Sequence, residues 1–423
     1  MSLEDFVLRI IGDHEKITKE DILEFCETSQ GVINMTLYRL RKKGLIKSSM
    51  TKPAFYFLSE KGKKYYEDML NRTFEFMSLS EKEILEKKEI IKEEFKREIR
   101  SQIILDNDLL EIFTVLPFCR GRCGRNRLGI TAQFIGDCGR GKDMLHEIYK
   151  DIMDSKKVDC RDFFVDGKAN LKELKSIVES YPDILFVDEI GVLFNSPRRA
   201  YQKYLDNKDF PIIFMGNPET EKIDIEMCSS FEEIIEHTSK SGKSISDRVN
   251  LWIYFPPLTL EEKKELPKII FNKKDTNLGI ISSYVQYAFR NYDPTWTTEA
   301  QEYFNLILEN AEKLLNGERK TYCPGKKKKE TPERYILRGK RGNLSEKWIN
   351  LHSHIEGARF MISIMSIARG LAMRDLRNEI LGRDVLKAIE LKFDFLKKLY
   401  GSDYLIRDLT FGIENKKILE VKI

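Results

Sequence analysis

Apolar residues recur at helical spacing across Leu3–Gly12 and Lys19–Cys26, and again across Val32–Lys43. Thr18 stands where the second helix needs an N-cap, because its hydroxyl can accept from a free backbone N–H of the first turn. Gly44 closes the third helix as a C-cap, and Leu45-Ile46 follow. Next, Phe55-Tyr56-Phe57-Leu58 reads as a strand and Ser59-Glu60-Lys61-Gly62 opens a further helix. The run Ser80-Glu81-Lys82-Glu83-Ile84-Leu85-Glu86-Lys87-Lys88 pairs charges at i,i+4 around a narrow apolar seam, which predicts a charged linker helix within 71–105 that spaces two folded parts. Beyond it the pattern changes. Ile130–Ile135, Ile184–Val187 and Pro211–Met215 are short, mostly apolar runs that read as buried strands, and Met144–Tyr149 is amphipathic. Strands alternating with helices predict an α/β core over 106–270, and in the tail over 401–423 the segment Tyr404–Ile423 reads as one or two short strands.

Three helices followed by a β-wing is the winged helix-turn-helix order. The run Leu37-Tyr38-Arg39-Leu40-Arg41-Lys42-Lys43-Gly44-Leu45-Ile46, then Tyr56-Phe57-Leu58-Ser59-Glu60-Lys61-Gly62, closely resembles that family over residues 1–70. Charge sharpens the resemblance. Between Thr36 and Tyr66 the chain carries Arg39, Arg41, Lys42, Lys43, Lys47, Lys52, Lys61, Lys63 and Lys64 against the single acid Glu60. Arg41, Lys42, Lys43 and Lys52 are thus candidates for phosphate contacts on DNA, and Asn34, Thr36 and Arg39 for base edges. A solvated basic face used for protein contact is the alternative.

Residues Gly136-Asp137-Cys138-Gly139-Arg140-Gly141-Lys142-Asp143 match G-x-x-x-x-G-K-[ST] up to Lys142. A strand running into such a loop, with a helix leaving it, aims backbone N–H groups and the positive helix end at a phosphate. Lys142 would neutralise the β- and γ-phosphates as a point charge. The motif points to a nucleoside triphosphate with Mg²⁺. Its last position is anomalous, because Asp143 replaces the hydroxyl that normally ligates the metal. An aspartate is an acceptable oxygen ligand for Mg²⁺, yet it adds negative charge beside a triphosphate.

Downstream, Ile184-Leu185-Phe186-Val187-Asp188-Glu189 is an apolar strand ending in two carboxylates, the Walker B arrangement. Asp188 would hold Mg²⁺, and Glu189 would orient and deprotonate the attacking water. Pro211–Gly216 then delivers Asn217-Pro218, a polar amide at a strand tip where it can hold that water. At this point the chain resembles the AAA+ ATPases, and more closely their minichromosome maintenance (MCM) branch, whose sensor-1 strand also ends in Asn-Pro. Ser246-Asp247-Arg248-Val249-Asn250-Leu251 resembles the segment with the arginine finger, which maps to Arg248. Ser283–Pro294, Glu356–Met361 and Gly382–Ile389 resemble parts of the helical lid, with Arg359 on the sensor-2 arginine. The ordered series covers Ile130 to about Lys392. It implies an α/β P-loop AAA+ core plus a helical lid over 271–400, preceded by the winged helix. It further implies ATP hydrolysis at the subunit interfaces of a homo-oligomeric ring, a hexamer, that loads on, remodels or unwinds DNA. An ATP-switched DNA-binding regulator with little turnover is the alternative, and a protein-remodelling ATPase a third.

Three further departures from the MCM pattern stand beside Asp143. The interval from Lys142 to Asp188 is short for the helix-2 insert, and that from Asp188 to Asn217 leaves little length for the presensor hairpin. A winged helix and linker also stand where the usual N-terminal domain is expected. Other basic segments could grip DNA: Arg198 and Arg199, and an insertion at 319–341 that contains Lys326-Lys327-Lys328-Lys329 and reads as a mobile loop.

Composition narrows the class without changing it. The net charge of +4 is too small for a polycation, so the clustering of basic residues matters more than their total. No apolar run of about 18 residues predicts a membrane span, and Met1–Asp5 lacks a basic leader, so a cytoplasmic location is expected. Seven scattered cysteines fit a reduced compartment. Cys119 and Cys123 lack a second Cys/His pair and read as thiols rather than zinc ligands.

Overall fold

The computed structural model describes residues 7–8, 10–12, 14, 16–26, 29–49, 51–66, 79–123, 126–136, 142–165, 168–169, 172–188, 208–215, 233, 249–271, 278–317, 334–337 and 347–413. The N-terminal unit orders β1 (Ile17–Thr18), α1 (Lys19–Phe25), α2 (Gln30–Lys42), β2 (Ile46–Ser48) and β3 (Phe55–Leu58), with helical backbone also at 10–12 and 60–66. β3 lies between β1 and β2, antiparallel to both, with Ile17 opposite Tyr56 and Ile46 opposite Leu58. Thr18 is the N-cap of α1, in a reciprocal capping box with Asp21. At the far end of α2, Gly44 takes φ +73°, and the N–H groups of Gly44 and Leu45 reach back to the carbonyls of Arg41 and Leu40. That pair of bonds is a Schellman ending, which favours glycine at the left-handed position. Val7, Leu8, Ile17, Ile22, Ile33, Leu37, Leu40 and Ile46 form the unit's own core.

The main body is built on a five-stranded, wholly parallel sheet. Its strands are β4 (Thr131–Gly136), β5 (Ser155–Asp159), β6 (Ile184–Asp188), β7 (Ile212–Phe214) and β8 (Leu251–Phe255), in the spatial order β8-β4-β7-β6-β5. Helices α5 (Lys142–Lys150) and α6 (Lys172–Glu179) fall between successive strands. β4, β7 and β8 are buried at every position and β6 at all but Asp188, as covering both faces requires. β5 is the exception: Lys156 and Lys157 are exposed on this edge strand, where charge blunts further pairing.

The segment expected to be a spacer does something else. Helix α3 (Glu81–Gln102) opens on a Ser80–Glu83 capping box, and its seam of Ile84, Ile91, Phe95 and Ile99 is buried in the main core. The Phe95 ring meets Tyr149 of α5 edge-on at 6.3 Å, and Tyr149 in turn lies 5.9 Å from Phe186 of β6. The narrow seam was visible in the sequence; what it packs against was not. Helix α4 (Asn107–Val115) follows, and its Phe113 joins Phe134 and Phe255 in an aromatic cluster with centroids 5.1–5.7 Å apart.

Further helices are α7 (Leu260–Phe271), α8 (Leu278–Asn291), α9 (Thr298–Leu315), α10 (Gly357–Arg374), α11 (Gly382–Lys392), α12 (Asp394–Tyr400) and α13 (Tyr404–Leu409), with a short helix at Leu351–Ile355 before α10. Two expectations change here. Tyr404–Leu409 is a helix rather than a strand: Leu405 and Leu409 share a buried face, and Asn310 of α9 donates to the carbonyls of Leu409 and Phe411. Within the insertion at 319–341, Arg334–Leu337 is a strand paired antiparallel with Lys347–Asn350, so this part is a β-ribbon rather than a loop. Its tetralysine lies outside the described residues, as do Arg198 and Arg199. Among the described residues no helix is long and apolar enough to cross a membrane, and no cluster of three or more His, Cys, Asp or Glu side chains is placed to hold a metal. Cys119 is buried and its thiol is pushed up to about 12 by that burial, in keeping with a packed thiol.

Polar ties fasten the helical part to the sheet. Arg374 is nearly buried between Glu111 at 2.6 Å and Asp375 at 3.4 Å, and Lys92 of α3 reaches Asp375 at 3.1 Å. Lys392 is 6% exposed; its ammonium donates to the Asn250 carbonyl at 2.7 Å and lies 5.5 Å from the Phe393 ring. Burial lowers its pKa from 10.5 to about 7. Between those values the unfolded chain binds more protons, so this lysine adds stability as pH rises from about 7 towards 10 and withdraws it as pH falls. Urea unfolding of wild type and Lys392→Met should therefore diverge with pH, the wild type gaining up to about 1.4 kcal/mol per pH unit on the variant. Equal slopes would show that the buried amine keeps its ordinary pKa.

Candidate functional site

In a parallel sheet, ligands bind beyond the carboxyl ends of the strands, where the connections leave in opposite directions. β4 is such a place here: β7 flanks it on one side and β8 on the other. β4 ends at Gly136, whose φ is +134°. A Cβ at this position would come within 2.4 Å of the Phe255 carbonyl oxygen on β8. Only glycine suits that backbone and that approach. The glycine-rich segment starts from this residue, and helix α5 starts at Lys142, so a strand and a helix bracket the segment as the motif requires.

Asp188 ends β6 on the same edge of the sheet, with β7 between it and the glycine-rich segment. The register is Val187 opposite Phe214 and Phe214 opposite Gln133, so β6 and β7 end close together while β4 runs on past Gln133 to Gly136. Asp143, in the first turn of α5, is exposed. One side chain joins these two carboxylates. The Lys157 ammonium of β5 lies 2.5 Å from Asp143 Oδ1 and 2.9 Å from Asp188 Oδ2. Partial burial disfavours the charged amine, but the hydrogen bonds it donates to Asp143 and Asp188, with their negative charges, together raise its pKa above the usual lysine value. Neighbouring Asp159 is engaged by Arg161 at 2.5 Å, and that hydrogen bond, opposed by burial, holds its carboxyl below the ordinary range. Within α5, His146 packs edge-on to Phe186 at 5.3 Å, and burial lowers its pKa.

The donor set suits a divalent cation. Two carboxylates, on the first turn of a helix and at a strand end, converge on one positive group, and carboxylate oxygens are the ligands Mg²⁺ takes. Sequence reasoning found both acids and missed Lys157. Its signal was indirect: an unexpected acid at position 143 needs a counter-charge, and Lys156-Lys157 is the nearest basic pair that follows it.

Of the other expected residues, Arg359 lies in the first turn of α10 and is half-buried. Lys142 is described as helix backbone alone, whereas Asp137, Cys138, Gly139, Arg140, Gly141, Glu189, Asn217 and Arg248 lie outside the described residues.

In the N-terminal unit, Asn34, Arg39, Arg41 and Lys42 are exposed on α2, with Lys43 just beyond it and Lys52 between β2 and β3. Thr36 is corrected. It is 3% exposed and its hydroxyl donates to the Val32 carbonyl at 2.9 Å, so it faces the core and cannot reach a base edge. Helical geometry explains this, since Ile33, Thr36, Leu37 and Leu40 form one buried stripe. The opposite stripe carries two large side chains that the sequence reading passed over, Met35 at 53% and Tyr38 at 60% exposure.

Comparison with protein families finds no family model that matches the chain, and comparison with curated proteins finds no match. The site's meaning therefore rests on its residues. Gly136→Ala should lower folding stability by about 2 kcal/mol or more in denaturant titration, given the positive φ and the approach to Phe255. A loss under about 0.5 kcal/mol would mean that the strand end relaxes freely.

Proposed function

We propose that the chain is a DNA-binding, nucleotide-dependent ATPase of the AAA+ kind, resembling the MCM branch, which works as an oligomeric ring. The observation that carries the reading is the convergence of Asp143 and Asp188 on the Lys157 ammonium at the carboxyl edge of the parallel sheet, the edge at which β4 ends on Gly136. The strand order adds support. β7, the strand that leads towards Asn217, lies between β4, which leads into the glycine-rich segment, and β6, which ends at Asp188.

In this reading the loop N–H groups and Lys142 bind the triphosphate, as a helix N-terminus favours. Asp143 and Asp188 would hold Mg²⁺, which neutralises phosphate charge when bound. Glu189 accepts the proton of the attacking water, Asn217 orients it, and Arg359 adds a cation at the γ-phosphate. Arg248 reaches the site of the adjoining subunit, which is why turnover requires the ring. The N-terminal unit fits a winged helix. Its helices, its three-stranded sheet and the exposed basic residues of α2 support DNA contact through Arg39, Arg41, Lys42 and Lys52. Met35 and Tyr38 extend that surface with apolar contacts suited to a thymine methyl or a sugar.

A second reading has its own support. Lys157 between the two carboxylates favours a switch that binds nucleotide and turns it over slowly. ATP hydrolysis measured with and without duplex DNA separates the two. The ring ATPase is stimulated by DNA and falls at least about 100-fold in Glu189→Gln and in Arg248→Ala, the scale on which catalytic groups act. Tight ATP binding without turnover in the wild type would leave the switch instead.

DNA binding is tested separately by its salt dependence. Arg41→Ala with Lys42→Ala should weaken binding to every duplex alike and lower the salt slope by about 2. An unchanged slope would assign the basic face to a protein partner.

A further inference from the structure

We infer that Lys157 is a built-in counter-ion that occupies the place of the divalent metal between Asp143 and Asp188, so that metal must displace it to bind there. The pair was read above as metal ligands on the nucleotide-site reading, and the first arm of the test below does not depend on that reading.

The argument is one of charge and distance. Where this loop motif places a hydroxyl, the chain has Asp143, one additional negative charge. Lys157 supplies one positive charge and touches both acids, at 2.5 Å and 2.9 Å. An ammonium at hydrogen-bond distance from two carboxylate oxygens fills the space in which a Mg²⁺ ion would take the same oxygens at about 2.0–2.1 Å. The two cations exclude each other. The lysine is also held for this task. It stands on the edge strand next to β6, where Lys157 is paired with Phe186 and can reach diagonally to Asp188. The acid nearest to it on its own strand, Asp159, is occupied by Arg161, which leaves Lys157 to the other two. Asp143 is exposed on the first turn of α5, so its side chain can turn away from the lysine without unfolding anything.

The consequence is a site that needs no metal to tolerate its own acids. With Lys157 in place, the carboxylate pair carries one uncompensated charge rather than two before any ligand arrives. A triphosphate then meets a site already partly neutralised, and divalent metal becomes a competitor for the lysine's position rather than a precondition for binding.

The test uses the full chain, with wild type, Lys157→Met, and Lys157→Met combined with Asp143→Asn. Mn²⁺ binding without nucleotide is followed by loss of the free-ion electron paramagnetic resonance signal. Lys157→Met should bind Mn²⁺ at least about tenfold more tightly than wild type, and Asp143→Asn should remove the gain. Equal affinities in wild type and Lys157→Met, or a gain that survives Asp143→Asn, overturn the inference. Because Lys157 is on an exposed edge, Lys157→Gln gives an independent check if the methionine variant folds poorly. The second arm follows a fluorescent ATP analogue in EDTA and in Mg²⁺. Wild type should bind it in both within about threefold, and Lys157→Met should lose about tenfold in EDTA alone. Wild-type binding abolished by EDTA overturns the inference as well. If neither protein takes up the analogue under either condition, the nucleotide reading fails, and the Mn²⁺ titration still decides the place of Lys157.

Discussion

The five parallel strands must be covered on both faces, and most of the architecture follows from that requirement. Every residue of β4, β7 and β8 is buried, so each face needs helices that bring their own apolar surface. α5 supplies part of the cover. The helix that the charge pattern suggested would stand apart supplies more, because a seam of four apolar residues in the 22 residues of α3 is enough to dock it. At roughly 25 cal/mol per Å² of apolar area, no highly charged helix would leave such a seam in water when a core is in reach. Covered faces also leave the carboxyl ends of the strands as the natural place for polar chemistry, and the two site carboxylates are found there.

Much of this was legible in the sequence, for reasons that can be named. The runs of β4, β6 and β7 were readable because double burial produces unbroken apolar stretches; β8, equally buried, was not read as a strand. The cap at Thr18 and the ending at Gly44 were readable because backbone groups at helix ends have few alternatives. The acids of the site were readable because their positions follow a glycine-rich loop and an apolar strand. What stayed hidden depends on partners distant in sequence. β5 carries charge on an edge, so its pattern is that of no buried strand, and Lys157 acquires meaning only when β5 is laid against β6. Thr36 was misjudged because a polar residue in a basic helix looks like a surface residue until the phase of the buried stripe is fixed. The C-terminal segment was misjudged because six residues with two buried leucines fit a short strand as well as a helix; the amide of Asn310 against the end of the segment decides for the helix.

The packing gives the proposed activity a mechanical setting. Tyr149 lies between Phe95 on α3 and Phe186 on β6, and its hydroxyl donates to the Phe113 carbonyl on α4. The helix that begins at the glycine-rich turn is therefore in direct contact with the segment that leads from the N-terminal unit. About one turn from Phe95, α3 is also tied through Lys92 to Asp375, beside the close of α10. Any shift of α5 is felt by neighbours that are themselves fixed to the helical part.

The bridge at Lys157 also sets an order in which this sequence can change. If Asp143 becomes serine first, the lysine keeps Asp188, and each charge retains a partner. If Lys157 changes first, the two carboxylates lose the cation they share. The two positions are thus coupled like the two halves of a lock, with a passable route through position 143 and a steep one through position 157. A substitution survey made one residue at a time would score Asp143 as tolerant and Lys157 as rigid, although the chemistry belongs to the pair.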